Sequence, residues 1–220
     1  GYSYNTIELL RENKNQIRSS LATLMKKSIN SNVHNSIDRP LVSVCIAHFN
    51  RFESLKTTLD SIISQTYDNV EIIVVDDGSD ADELKKLSEY LGEFDGIELI
   101  CQPNLYLGAA RNAAAKVARG KYLLFKDDDN ISKPHEVNDF VKCAEANDSE
   151  ILVCFSENFS DTRENKGKIK LNDVVRLPFG ADPVYGMLRN GLGDSNCFIK
   201  KDVWEKLGGF TEHYRVGLDD

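Results

Sequence analysis

A chain of 220 residues has room for one sizeable core and an appendage. Its 41% hydrophobic and 28% charged residues fit an ordinary soluble globular protein, and a net charge of −8 argues against nucleic acid as a partner. No apolar run approaches the roughly 18 residues of a membrane span, and the polar opening Gly1-Tyr2-Ser3-Tyr4-Asn5 is not a secretory signal.

Residues 1–38 differ from the remainder of the chain. Leu10, Ile17, Leu21, Leu24 and Met25 recur at helical spacing in a stretch with five basic residues against three acidic. A polar linker, residues 28–36, comes next. The expectation is a separate N-terminal helical extension and linker over 1–38, either a solvated connection or the tail of a preceding domain. A helix that binds a partner or a membrane surface is the alternative.

From residue 39 the pattern becomes regular. Residues 41–46 predict a buried strand, and 53–65, with Leu55, Leu59, Ile62 and Ile63, an amphipathic helix. Residues 70–75 predict a second strand, Leu84, Leu87 and Leu91 a second helix, and 97–101 a third strand. An Ala-rich helix is expected over 108–118 and a fourth strand over 122–125. Pro134 suits the first turn of a helix carrying Val137, Phe140, Val141 and Ala144, followed by a fifth strand over 151–155. Residues 157–180 read as an insertion or loop, 197–199 as a short strand, 202–207 as a short helix and Gly208-Gly209 as a turn. Apolar strands alternating with helices predict an α/β fold, a mostly parallel central sheet flanked by helices.

The five cysteines are odd in number and form no C-x-x-C pair, so they read as reduced thiols in a cytoplasmic setting, with the membrane surface as the variant location. Cys45, Cys101 and Cys154 fall inside apolar strand-like runs, where Cys acts as a small hydrophobe. Four scattered histidines offer no zinc spacing.

Chemistry concentrates where the parallel strands end, because open α/β sheets bind ligands at that edge. The first strand runs into Ala47-His48-Phe49-Asn50-Arg51, the second into Asp76-Asp77-Gly78-Ser79 and the fourth into Lys126-Asp127-Asp128-Asp129-Asn130. Two acidic clusters on one rim oppose folding. They make sense if one accepts hydrogen bonds from a base or ribose and the other holds a hard divalent cation. Between them, Asn104 to Ala113 carries Gly108 at an expected helix start and Arg111 in its first turn, in reach of a phosphate. Neither a phosphate-loop nor a Gly-x-Gly-x-x-Gly dinucleotide signature comes after the first strand.

These segments, with Gly208-Gly209-Phe210 and Asp219-Asp220, resemble in order and spacing the family 2 glycosyltransferases, inverting nucleotide-sugar enzymes of the GT-A fold. The resemblance covers about residues 40–220. It implies a glycosyltransferase domain over 39–220, with a nucleotide-sugar-binding half (39–130) and an acceptor-side half (131–220) cut off after Asp220. By the same resemblance Asp77 contacts the base, with Phe49, Asn50 and the backbone near Ala47 lining the donor pocket, and Arg111 lies on the donor side. Asp127 and Asp129 fit an Asp-x-Asp motif: Asp129 ligates Mn²⁺ or Mg²⁺, and Asp127 or Asp128 serves the ribose and metal environment. Asp220, paired with Asp219, is the implied general base. Ala47-His48-Phe49 departs from the commoner Pro-Thr-Tyr, and Asp219 from the usual Glu.

The implied partners are a nucleotide-diphosphate sugar, UDP-linked by preference, and a saccharide or polymer hydroxyl, with transfer of the hexosyl or N-acetylhexosaminyl type. Further domains or a partner are expected through the N-terminal helix. Two rival readings remain at this level: a nucleotidyltransferase that makes the nucleotide-sugar, and a non-catalytic binding or scaffold module.

Overall fold

The computed structural model describes residues 39–160, 170–176, 178 and 196–212; the helix expected within 1–38 lies outside them. Strands β1 (Val42–His48), β2 (Val70–Asp76), β3 (Ile97–Cys101) and β4 (Tyr122–Asp127) are parallel. The first three are each followed by a helix that carries the chain back to the starting edge: α1 (Phe52–Ile63), α2 (Ala81–Leu91) and α3 (Tyr106–Val117). Then come α4 (Glu136–Asn147), β5 (Ile151–Val153), β6 (Ser156–Ser160), β7 (Lys170–Arg176), β8 (Cys197–Lys200) and α5 (Lys201–Leu207). The main sheet has the order β3-β2-β1-β4-β8-β5, and β6 pairs with β7 in a second, two-stranded antiparallel sheet.

The central strands β1, β2 and β4 are mostly apolar because both of their faces are covered. Val42, Val44 and Ile46 of β1 face a layer made by Leu55, Leu59 and Ile62 of α1, Leu87 and Leu91 of α2, and Val137, Phe140 and Val141 of α4. Burying each of these larger aliphatic side chains contributes roughly 1.5–3 kcal/mol. Phe198 of β8 extends this layer by stacking on Tyr122 and Phe140, at centroid distances of 4.6 and 5.1 Å. On the opposite face Cys45, Ile73, Val75, Leu123 and Phe125 lie under Ala110, Ala114, Ala115 and Ala118. Alanine is what lets α3 approach the sheet closely.

Several expectations are corrected. The fifth strand stops at Val153, and β8 separates it from β4, pairing antiparallel with both. The polar stretch 157–180 is not simply a loop, since it contains most of β6 and all of β7. Pro134 sits in the turn ahead of α4, where its carbonyl accepts the Thr66 N–H at 2.9 Å. Cys45 is buried, and burial pushes its thiol pKa far up, but Cys101 and Cys154 are exposed because both lie at strand ends near the sheet's borders.

At the amino-terminal edge of the sheet a buried carboxylate organises the backbone. Glu71 accepts hydrogen bonds from Ser43 Oγ (2.5 Å), Arg119 N (2.6 Å), Arg119 Nε (2.8 Å) and Gly120 N (3.2 Å). Burial alone would raise its pKa; these donors and the Arg119 charge outweigh it, and the net shift is downward. A carboxylate whose folded pKa is lowered stabilises fully above its unfolded value and loses that contribution as pH falls through the folded value. Glu71→Gln is therefore expected to cost about 1–3 kcal/mol at pH 7 by urea denaturation. The gap to the native chain should close as the pH is taken below about 4.

Candidate functional site

The order β3-β2-β1-β4 means that successive connections run outward from β1 to β3 and then return to β1's other side. Between the carboxyl ends of β1 and β4 the winding reverses. Ligands of open α/β sheets sit at this reversal. Register aligns His48 with Asp76 and Ala47 with Asp127, which brings the three polar strand ends together.

The strand ends are tied to one another by short-range hydrogen bonds. Asp77 N–H donates to the His48 carbonyl at 2.9 Å, and Asn50 N–H to Ser79 Oγ at 2.9 Å. Asn50 Oδ1 accepts the Asp80 N–H at 2.8 Å, with Asn50 itself in the left-handed region at φ 52. Asp76 Oδ2 takes the Ser79 N–H at 3.1 Å, closing the Asp-Asp-Gly-Ser turn on itself. Gly78 is required in that turn. Its φ is +82, and a Cβ there would stand 2.6 Å from the Asn104 backbone nitrogen.

Asp77 is buried, and its Oδ1 accepts from Gln102 Nε2 (2.7 Å) and Leu105 N (2.9 Å). Those bonds hold the loop that leads into α3, where Tyr106 adopts a left-handed φ of 71, a costly conformation for a bulky residue. Phe49 is 44% exposed at the rim, whereas Ala47 belongs to the core on the α3 face.

Arg111 lies in the second turn of α3, not the first, because the helix begins at Tyr106 rather than Gly108. Only 1% of it is exposed. Its Nη2 donates to Asp127 Oδ1 at 2.6 Å, and its guanidinium lies 5.3 Å from the centre of the Phe210 ring. Gly108 is in the helix for a packing reason: a Cβ there would lie 2.5 Å from the Thr211 carbonyl oxygen. Asn112 next door donates from Nδ2 to the Phe210 carbonyl (2.8 Å) and to Glu212 (2.7 Å), and accepts the Phe210 N–H (2.8 Å). These contacts fasten the Gly208-Gly209-Phe210 turn onto α3. Trp204 packs against the same face of the core, with the turn's Gly209 N–H donating to its carbonyl at 3.2 Å.

The three consecutive aspartates have three different environments. Asp127 is partly buried, and its N–H donates to Asn196 Oδ1 at 2.9 Å. Asp128 is fully buried and faces the α1 side, away from Arg111. One of its oxygens is 2.9 Å from His48 Nδ1, and the other forms a close ion pair with Arg51 Nη2. Asp129 is half exposed and pairs with Arg51 Nη1 at 2.9 Å. Asp128, named as donor-binding by the family resemblance, is held by His48 and Arg51. Breaking a fully buried ion pair costs about 3–5 kcal/mol, less where one partner, like Arg51, is half in solvent. An exposed pair such as Arg51–Asp129 is worth about 0–1 kcal/mol.

Among the described residues no cluster of three or more His, Cys, Asp and Glu side chains could hold a metal by itself. Asp127 and Asp129 are joined through one amide: Asn130 Nδ2 lies 3.3 Å from Asp127 Oδ2 and 3.4 Å from Asp129 Oδ1. Such a pair suits a Mg²⁺- or Mn²⁺-type ion that takes its other ligands from phosphates and water. Asp219, Asp220, His213 and Ser195 lie outside the described residues. Arg51, Asn112 and Gln102 are the parts that sequence reasoning leaves without a role here. The first of them has a signal, an Arg at a strand end facing three aspartates.

Glycosyl transferase family 2 is the family whose pattern matches, over residues 43–207. The chain belongs to that family. It is 32% identical over 141 residues to EpsH of Bacillus subtilis, covering 64% of this chain and 40% of that protein. Among solved structures it resembles S. aureus TarS in complex with UDP, with TM-score 0.62, 19% identity, and coverage of 81% of this chain and 52% of TarS. It also resembles the Pyrobaculum calidifontis mannosyltransferase PcManGT in complex with GDP-Man and Mn²⁺, with TM-score 0.57, 20% identity, and coverage of 89% and 55%. The fold is that of the GT-A glycosyltransferases. The chain spans about half the length of the relatives it matches.

In this family 2 member Gly78 sets the shape of the rim. Gly78→Ala should lower stability by about 1–3 kcal/mol, since left-handed backbone and a backbone clash add together. Thermal or urea unfolding of the purified chain measures this; an unchanged midpoint would show that the turn does not need glycine.

Proposed function

We propose that residues 39–220 form the catalytic domain of a metal-dependent, inverting glycosyltransferase. It takes a nucleotide-diphosphate sugar, UDP-linked by preference, and transfers a hexosyl or N-acetylhexosaminyl group to a hydroxyl of a saccharide or polymer. The observation that carries this reading is the pairing of a buried guanidinium, Arg111, with Asp127 beside the half-exposed Asp129 at the winding reversal. A cation held there and one that never leaves, side by side, answer the charge of a diphosphate leaving group.

In this reading the chain's residues divide the work. Asp77 and the β1 end, Ala47 to Asn50, receive the nucleoside, with Phe49 offering an exposed aromatic face. Arg111 supplies fixed positive charge near the departing diphosphate, where a preorganised donor costs no reorganisation. Asn196 and Arg111 hold Asp127 from its backbone and its carboxylate. A divalent cation, when bound by Asp129 and Asp127, neutralises the leaving group further. The acceptor hydroxyl displaces the diphosphate at the anomeric carbon in one step, and a carboxylate removes its proton. The family resemblance assigns that role to Asp220, with Asp219 beside it. The UDP complex of TarS supports the uridine preference, and the Mn²⁺ complex of PcManGT supports the cation. The absence of paired cysteines among the five supports a cytoplasmic reaction, and among the described residues no helix is long and apolar enough to cross a membrane.

Calorimetric titration of UDP with and without Mn²⁺, in the native chain and in Asp129→Ala, tests the reading. The expected result is binding that requires Mn²⁺ and weakens at least tenfold in the variant, about 1.4 kcal/mol. Equivalent binding of GDP or dTDP instead would change only the base. Failure of every nucleoside diphosphate to bind with metal would overturn the donor site and favour a scaffold module.

A further inference from the structure

We propose that Arg51 is a built-in counter-cation of Asp129 that yields to a divalent cation and then turns its released arm to the anionic ligand. This rests on the donor-site reading above. The observation behind it is a guanidinium shared by two neighbouring carboxylates of opposite accessibility. Nη2 is ion-paired with Asp128 Oδ1, and Nη1 lies 2.9 Å from Asp129 Oδ2. The planar fork of arginine suits this double grip, which a lysine ammonium does not reproduce.

The two arms are unequal. Asp128 is fully buried, and His48 Nδ1 holds its second oxygen at 2.9 Å, so it has no freedom to follow a ligand. Losing Arg51 would leave a buried carboxylate with only that imidazole. Asp129 is 52% exposed and Arg51 54%, so their pair is screened by water and cheap to open. The backbone of Arg51 is itself fixed, its carbonyl accepting the Leu55 N–H at 3.0 Å where α1 begins. One arm is therefore an anchor and the other exchangeable.

Charge balance gives the exchange its direction. Three consecutive carboxylates, Asp127, Asp128 and Asp129, face two guanidiniums, Arg111 and Arg51. A divalent cation at Asp129 competes with Nη1 for the same carboxylate, and like charge drives the arm away. Anchored on Asp128, the guanidinium stays at the rim, and its freed N–H groups can meet a phosphate. Arg51 is thus a positioning residue whose removal affects two steps in opposite senses.

The test uses the full chain and Arg51→Met, with Mn²⁺ and UDP as probes, or GDP or dTDP if that is what the native chain binds. Free Mn²⁺ is read by electron paramagnetic resonance, and nucleotide binding at saturating Mn²⁺ by calorimetry. In the variant, Mn²⁺ alone should bind about two- to fivefold more tightly, because a competing exposed ion pair is gone. Nucleotide binding in Mn²⁺ should weaken by about three- to tenfold, because a charge-assisted hydrogen bond is lost. Opposite signs support the proposal; both affinities falling together, or neither changing, overturns it. Arg51→Lys guards against a folding defect, since it keeps a charge beside Asp128, and should show the same opposed signs at smaller size. If the native chain binds no nucleoside diphosphate in Mn²⁺, the donor-site reading fails and the proposal with it. Native binding with an Arg51→Met response of the wrong sign defeats the proposal alone.

Discussion

The winding reversal between β1 and β4 is the constraint on which the rest depends. A parallel sheet buried on both faces can carry polar chemistry only at its ends. At the amino ends this chain closes the backbone with Glu71, Ser43 and Arg119. At the carboxyl ends the connection from β1 leads to β2 and the one from β4 leads to α4, and the polar residues of both connections meet beside the strand ends. The register of β2 and β4 against β1 is why aspartates separated by about fifty residues in sequence, at 76–77 and 127–129, share one rim.

Crowding carboxylates into such a place is unfavourable unless their charges are managed, and the management here is selective. Asp77 is buried and accepts amide and backbone N–H groups on one oxygen, while Asp76, also buried, accepts the Ser79 N–H on one oxygen and has no hydrogen-bond partner on the other. Asp127 has a permanent guanidinium, Arg111, sealed beneath the surface. Asp128 is withdrawn altogether onto His48 and Arg51. Only Asp129 keeps a carboxylate in solvent with a partner that water screens. Because an exposed pair is worth so much less than a buried one, a rim that looks uniformly acidic in sequence has a single carboxylate that can change partners at little cost. Lys126 extends the logic inward: buried on β4, it meets Glu136 at 3.0 Å at the start of α4, so even the residue flanking the motif is neutralised locally.

Much of the fold is legible in the sequence because strand and helix periods differ and the central parallel strands are mostly apolar. The departures come where that signal is weakest. Residues 151–155 are short and apolar, and nothing in such a run distinguishes a parallel interior strand from an edge strand separated by an antiparallel neighbour. Residues 157–180 are polar and lack a clear period, so the paired strands β6 and β7 do not stand out in the sequence. At the site, the strand-end positions of Asp77 and Asp127 can be read from the alternation of elements, as can the place of Arg111 on the helix between them, though not its turn. The inward turn of Asp128 cannot, since a run of three charges has no periodicity of its own. Its partner His48 sits 80 residues away in sequence, and only the register of β1 against β4 brings the two together. Gly108 misleads for a related reason: a glycine near a helix start suggests an anion site, but the Thr211 carbonyl occupies the space its missing side chain leaves.

The contact made possible by Gly108 ties α3 to the residues that follow the 208–209 turn. Arg111 and Asn112 are adjacent on α3, and a helix turns successive residues by about 100°, so they look in different directions. One reaches Asp127 at the end of β4, the other grips the Phe210 backbone from both sides. Phe210 in turn lies under the Arg111 guanidinium and edge-on to Phe125 of β4, at 4.9 Å. The turn at 208–210 is therefore registered to the same strand that carries the acidic motif, through three side chains with little room to move. In an inverting displacement, where a base and a leaving group work from opposite sides of one carbon, that shared reference is what a fixed distance between them would require.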